Sequence, residues 1–315
     1  MIRNLIREIQ KKEAPIVVGL DPAAKLIPQH LIEEEFEKEG CGSGEDPAAE
    51  AFSRAIIRFN ERLIDSIHDL VPAVKPQIAM YEQFGIPGLY AYRHTVEYAR
   101  KKGLIVIADI KRGDIGSTSE AYAMAHLGKS RAKEYSFPAF DADFATVNPY
   151  LGSDGVMPFV EACNREDRGI FVLVKTSNPS SGEFQDRPVS DGNGRLLYEL
   201  VADKVREWGE LSMDGDYSNV GAVTGATYPE QGRILRKLMP KTYFLVPGYG
   251  AQGGTAKDLA PFFNEDGLGA IVNSSRGIIG AYRQEAYASY GEERFDEAAR
   301  EAVLRMRDDL KILFR

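Results

Sequence analysis

Eight short apolar runs recur along the 315-residue chain, and they limit what it can fold into. They are Ile16–Leu20, Ala73–Ile78 (which carries Lys75), Leu104–Ile110, Phe144–Val147, Ile170–Val174, Val220–Val223, Tyr243–Val246 and Ala270–Val272. Each ends at Gly, Pro or a polar residue. Such runs read as strands buried on both faces, as in a parallel sheet. Helical spacing fills the gaps. In Pro47–Leu70 the apolar residues Phe52, Ile56, Phe59, Leu63 and Ile67 fall three or four apart. Leu89–Lys102 ends on Arg100, Lys101 and Lys102 before Gly103, a favourable charge and cap for a helix C-terminus. Gly194–Trp208, Glu230–Leu238 and Glu293–Leu313 follow the same pattern. Eight strands alternating with helices predict an α/β fold, a (β/α)8 TIM-type barrel forming a single domain over residues 1–315. A doubly wound open sheet is the alternative, because pattern alone does not show closure.

Two segments stand outside this rhythm. Residues 1–13, with Ile2, Leu5, Ile6 and Ile9 at helical spacing, read as an N-terminal helix too charged for a signal peptide. Residues 31–47 carry Glu33, Glu34, Glu35, Glu37 and Glu39 ahead of CGSGEDP, and read as a solvated acidic helix and loop inserted before the next helix.

The net charge of -8 argues against nonspecific nucleic-acid binding. Any anionic ligand then needs a local cluster of cations or backbone N–H groups. Cys41 and Cys163 suggest neither a metal site nor a disulfide framework, which fits a cytoplasmic location. No apolar run reaches the length that spans a membrane. His30, His68, His94 and His126 lie far apart, and none sits in a metal-ligand pattern.

The chemistry concentrates in LIVIADIKRGDIGST, Leu104 to Thr118. After the buried run come Asp109, Lys111, Arg112 and Asp114. Asp109 and Lys111 are two apart, so on an extended chain they face the same side. They read either as a buried ion pair or as an acid/base pair at a strand's C-terminal end. Asp21, Lys75, Asn148, Ser177 and Arg276 also stand at strand C-termini, which in a barrel share one face. After the seventh run, PGYGAQGG supplies Gly248, Gly250, Gly253 and Gly254, whose backbone can approach an anion closely. After the eighth, NSSRG supplies Arg276, suited to two parallel hydrogen bonds with a phosphate. Gly248, Gly250 and Gly253 also match G-x-G-x-x-G. A dinucleotide site would need an acidic residue at the next strand end, where Ser274, Ser275 and Arg276 stand instead.

GLDP at Gly19–Pro22, the VKPQ around Lys75, DIKRGDIGST, TVNPYLG, VKTSNPSS, VPGYGAQGG and NSSRG together resemble the orotidine 5′-phosphate decarboxylase family, its longer bacterial subgroup in particular. The resemblance runs from about Ile16 to Gly280. It implies a cofactor-free decarboxylation of orotidine 5′-monophosphate to uridine 5′-monophosphate. It also implies an alternating array of Lys75, Asp109, Lys111 and Asp114. Asp114 and Thr118 would come from the partner subunit of a homodimer. Asp21 would contact ribose. Ser177, or its neighbour Thr176, would read the pyrimidine edge. Gln252 and Arg276 would close on the phosphate beside Gly250 and Gly253, and Asn148 sits at a matching strand end. Two other readings remain. A metal-dependent phosphosugar decarboxylase or aldolase on a related barrel would need acidic ligands in place of the early-strand lysine. A non-catalytic nucleotide-binding barrel would leave the two lysines and two aspartates without a purpose.

Overall fold

The computed structural model describes residues 1–38, 46–190, 194–227, 229–249 and 256–313. Eight parallel strands close into a barrel: β1 (Ile16–Leu20), β2 (Ala73–Pro76), β3 (Ile105–Arg112), β4 (Phe144–Val147), β5 (Gly169–Lys175), β6 (Val220–Thr224), β7 (Phe244–Pro247) and β8 (Ala270–Ser274). Strands adjacent in sequence are adjacent in the barrel. β1 closes on β8 through Ile16, Val17 and Val18 opposite Val272, Asn273 and Ser274. Closure excludes the open doubly wound sheet.

Strand alternation sorts the side chains into two layers. Ile105 and Ile107 of β3 join Val17, Ala73, Phe144, Phe171, Leu245 and Ile271 inside the barrel. Val106, Ala108 and Ile110 face the other way, among residues such as Phe59, Val96 and Val160 of the surrounding helices. Helix α1 (Ile2–Lys12) stops the lower end, with Ile2, Leu5 and Ile9 buried in the inner cluster. Its backbone N–H at Ile2 donates to Asn219 Oδ1, and Lys12 Nζ donates to the Val71 carbonyl, both just ahead of strands. Burying each of those side chains contributes about 1.5–3 kcal/mol, an upper estimate.

The outer elements are α2 (Gln29–Glu37), α3 (Pro47–Ile67), α4 (Gly85–Lys101), α5 (Gly116–Leu127), α6 (Ser153–Glu166), α7 (Leu197–Glu210), α8 (Pro229–Leu238) and α9 (Phe295–Leu310), with shorter helices and two small hairpins between them. Asp46 caps α3 by accepting the Ala49 N–H, and Pro47 opens the helix. α4 ends on Arg100 and Lys101, with Gly103 at φ +78° supplying the left-handed residue that follows.

The solvated acidic helix expected within residues 31–47 is corrected at Glu35. Its side chain is only 1% exposed. It accepts from Arg54 Nε at 3.0 Å and Arg58 Nη1 at 3.1 Å, and pairs with Lys38. Arg54 and Arg58 stand one turn apart on α3, and α2 lays Glu35 between them. Glu33, Glu34 and Glu37 are exposed. Glu39 and Cys41 lie outside the described residues. Cys163 is buried as a free thiol. Among the described residues, no helix is long and apolar enough to cross a membrane.

Candidate active site

The C-terminal end of β3 delivers Asp109 into the barrel mouth, where it is 6% exposed. Lys75, from the end of β2, donates to Asp109 Oδ2 at 2.6 Å. Lys111 donates to Asp109 Oδ1, also at 2.6 Å. Burial alone would raise the carboxyl's pKa. The two ammonium groups overcome that and hold it well below the usual carboxylate range. Burial alone would likewise neutralise Lys75. Asp109, and then Asp21, reverse this and raise its pKa above that of an ordinary lysine. Asp109 is therefore held as an anion between two lysine side chains.

A break in the strand ladder creates this arrangement. Ala108 stands opposite Ala145 and Arg112 opposite Val147, so Asp109, Ile110 and Lys111 face the single residue Thr146. Bulges of this kind re-aim side chains at barrel rims. Lys111 takes φ +45°, the left-handed region that a lysine seldom occupies. Its N–H donates to Thr146 Oγ1 at 2.9 Å, and Thr146 Oγ1 donates to Asp109 Oδ1 at 3.0 Å. Sequence reading passed over Thr146. The available signal was its register, two residues after inward Phe144 and two before Asn148.

Other residues of the motif set stand at the ends of further strands. Asp21 follows β1, and its Oδ1 is buried without a hydrogen-bond partner. Gly19, two residues earlier, presses on the β8 loop: a Cβ there would stand 1.8 Å from Ser275 Oγ. Thr224 Oγ1 and Asn273 Oδ1, at the ends of β6 and β8, are also buried and unpartnered. Neither was singled out as a candidate, though each directly follows an apolar run, at Val223 and Val272. Asp21 and Asn273 share the inward side of Val17 and Ile271, so these two unsatisfied oxygens mark a mouth prepared for a polar ligand. Asn148 is exposed, and its Oδ1 accepts the Tyr150 N–H. Beside it a cavity of about 530 Å³ opens between β5 and α7, lined by Leu173, Thr176, Gln185 and Tyr198 among others. Thr176 is bound to Gln185 through both its N–H and its hydroxyl, which also donates to Asn178. Ser177 is half-buried. Arg276 is exposed at the start of the short helix Arg276–Ile279. Gly250, Gln252 and Gly253 lie outside the described residues.

Asp114 and Thr118 stand apart from the centre. Asp114 Oδ1 accepts its neighbour's N–H at Ile115, and Thr118 is exposed in the first turn of α5. Among the described residues, no hydrogen bond or ion pair joins Asp114 to Lys75, Asp109 or Lys111. Among the same residues, no group of three His, Cys, Asp or Glu side chains gathers as a metal site requires.

The model of the orotidine 5′-phosphate decarboxylase / HUMPS family matches residues 14–290. An orotidine 5′-phosphate decarboxylase of Clostridium novyi (strain NT) is 42% identical over 311 residues, covering 98% of each chain. One from Rhodopirellula baltica is 44% identical over 296 residues, covering 93% of each. The solved structure of Leishmania donovani OMP decarboxylase superposes with a TM-score of 0.68 at 28% identity, over 96% of this chain and 98% of that one. A family match across the whole barrel, with relatives of the same length above 40% identity, means that this chain belongs to the orotidine 5′-phosphate decarboxylase family.

Proposed function

We propose that the barrel mouth decarboxylates orotidine 5′-monophosphate to uridine 5′-monophosphate and CO2, the last step of de novo uridine 5′-monophosphate synthesis, in the cytoplasm. The observation that carries this reading is Asp109 held between Lys75 and Lys111 at 2.6 Å each. The bond from C6 to the carboxylate breaks, its electron pair stays on C6, and CO2 departs. That carbanion has little resonance relief, so it needs a cation beside it. The Lys111 ammonium supplies the charge and then the proton, and the resulting amine regains a proton from solvent. Asp109 lies against the substrate carboxylate, a like-charge contact that disappears with CO2. Lys75 holds Asp109 ionised and in place.

The remaining groups bind the parts of the substrate that do not react. Arg276, with the glycine loop containing Gly250, Gln252 and Gly253, holds the 5′-phosphate, whose binding energy is spent at the distant ring. Asp21 takes ribose hydroxyls. Ser177 reads the pyrimidine edge in preference to Thr176, whose hydroxyl is already committed to Gln185 and Asn178. Asn148 borders the same space.

Asp114 and Thr118 complete the site of a partner subunit in a homodimer. Support comes from the turn that carries them. Ile115 is 54% exposed, Tyr150 84% and Leu151 47%, and Gly155 packs against both the Asp114 carbonyl and Leu151, so the turn and the β4 loop offer apolar residues that a second copy would cover.

The test is to incubate the protein with orotidine 5′-monophosphate and follow the ultraviolet absorbance of the ring, with and without EDTA. Conversion unaffected by EDTA is expected. No conversion by folded protein would leave a nucleotide binder. Conversion abolished by EDTA and restored by Mg2+ would indicate a metal-dependent enzyme.

A further inference from the structure

Three hydrogen bonds around Lys111 close into a ring. Its backbone N–H donates to Thr146 Oγ1 at 2.9 Å, Thr146 Oγ1 donates to Asp109 Oδ1 at 3.0 Å, and Lys111 Nζ donates to that same oxygen at 2.6 Å. The directions are fixed by chemistry. A backbone N–H can only donate, so the hydroxyl accepts it and has its one proton left for the carboxylate. The ring thus grips the lysine at both ends, at its backbone and at its ammonium.

The ring stands where the sheet leaves Lys111 unsupported. Three residues of β3 face one residue of β4, so the ladder breaks at Lys111. Its φ of +45° is unfavourable for any residue with a Cβ. Such a conformation persists only where the surroundings over-determine it, and these positions cluster at functional sites. Thr146 is suited to the task. It is 1% exposed, its β-branched side chain has few rotamers, and it sits opposite the bulge.

We propose that Thr146 is a positioning residue: its hydroxyl sets the place of the Lys111 ammonium and the orientation of Asp109, without touching substrate. This rests on Lys111 being the proton donor proposed above. A misplacement of about 1 Å at a reacting group can lower a rate on the order of a hundredfold. Thr146→Val keeps the shape and removes the hydroxyl. Its kcat is expected to fall about 10- to 100-fold, while KM and the Kd for uridine 5′-monophosphate stay within about threefold. Thr146→Ser restores the hydroxyl and is expected to keep kcat within about threefold of the unaltered enzyme. Thermal unfolding of both variants shows whether the barrel is intact. If the valine variant does not fold, Thr146→Ala is compared with Thr146→Ser by the same measurements.

The proposal is overturned by a folded hydroxyl-free variant with near-normal kcat. It is overturned equally if serine falls as far as valine, since the methyl's packing would then be what matters. Lys111→Ala is measured alongside. If it keeps its activity, the proton-donor reading and this one fall together. If it is inactive while Thr146→Val turns over normally, only the positioning role falls.

Discussion

Lys75 and Lys111 come from neighbouring strands, and their ammonium groups bind different oxygens of one carboxylate, each at 2.6 Å. Lys75 is buried and Lys111 is exposed at the barrel mouth. The buried lysine can hold Asp109 in place while the exposed one meets a ligand entering from solvent.

Lys111→Ala is expected to remove nearly all decarboxylation while leaving uridine 5′-monophosphate binding measurable. The product has no group at C6 for the ammonium to act on, so the loss falls on kcat. Steady-state turnover and product titration separate the two effects. A variant that keeps a tenth of normal turnover would take Lys111 out of the donor role.

Arg276→Ala is expected to weaken 5′-phosphate substrates far more than the bare nucleoside. Arg276 is exposed where NSSRG leaves β8, and a charge-assisted contact to phosphate contributes about 1.5–3 kcal/mol. The ratio of kcat/KM for nucleotide and nucleoside measures this. Equal losses for both would place the phosphate elsewhere.

Lys111→Ala and Asp114→Ala are each expected to be nearly inactive as homodimers and to complement when mixed. Unfolded together in equal amounts and refolded with random pairing, half of the dimers are mixed. Each mixed dimer has one doubly defective site and one with native Lys111 from one chain and native Asp114 from the other. If the two sites are shared as proposed above, activity should recover to about a quarter of normal. Mixed dimers that form, by differential tagging, yet stay inactive would mean that Asp114 acts within its own subunit.

His126 is expected to make the protein acid-sensitive well above the carboxylate range. Its ring is buried, stacked on Phe140 with centroids 4.9 Å apart, and its Nδ1 has no partner. Burial first, and then the Arg112 charge, lower its pKa from 6.5 to about 3. Between those values the unfolded chain binds a proton that the folded chain refuses, so stability is full above pH 6.5 and falls as pH drops toward 3. From pH 7 to 5 this amounts to about 2 kcal/mol. His126→Leu, which cannot titrate, should lose about that much less over the interval in urea unfolding. Equal losses in both proteins would show that His126 is not the sensitive group.

The eight strands were legible in the sequence because a parallel barrel buries each strand on both faces and so demands continuous apolar runs. Their ends were less legible: the runs read to Ile78 and Ile110, whereas β2 ends at Pro76 and β3 continues to Arg112. α5 and α6 were not read. Gly116–Leu127 mixes Ala, Ser and Thr without a clear apolar stripe, and Ser153–Glu166 carries Pro158. Glu35 looked like one of several solvated glutamates. Its burial depends on Arg54 and Arg58, 19 and 23 residues away on another helix.

The sequence by itself determined the strand runs and the charged residues at their ends, because burial and alternation are local rules. Barrel closure, the three-against-one bulge and the hydroxyl of Thr146 were decided only by the tertiary structure. Register between strands depends on how the chain between Lys111 and Thr146, 35 positions apart, packs, and a ladder breaks only where two strands have already met.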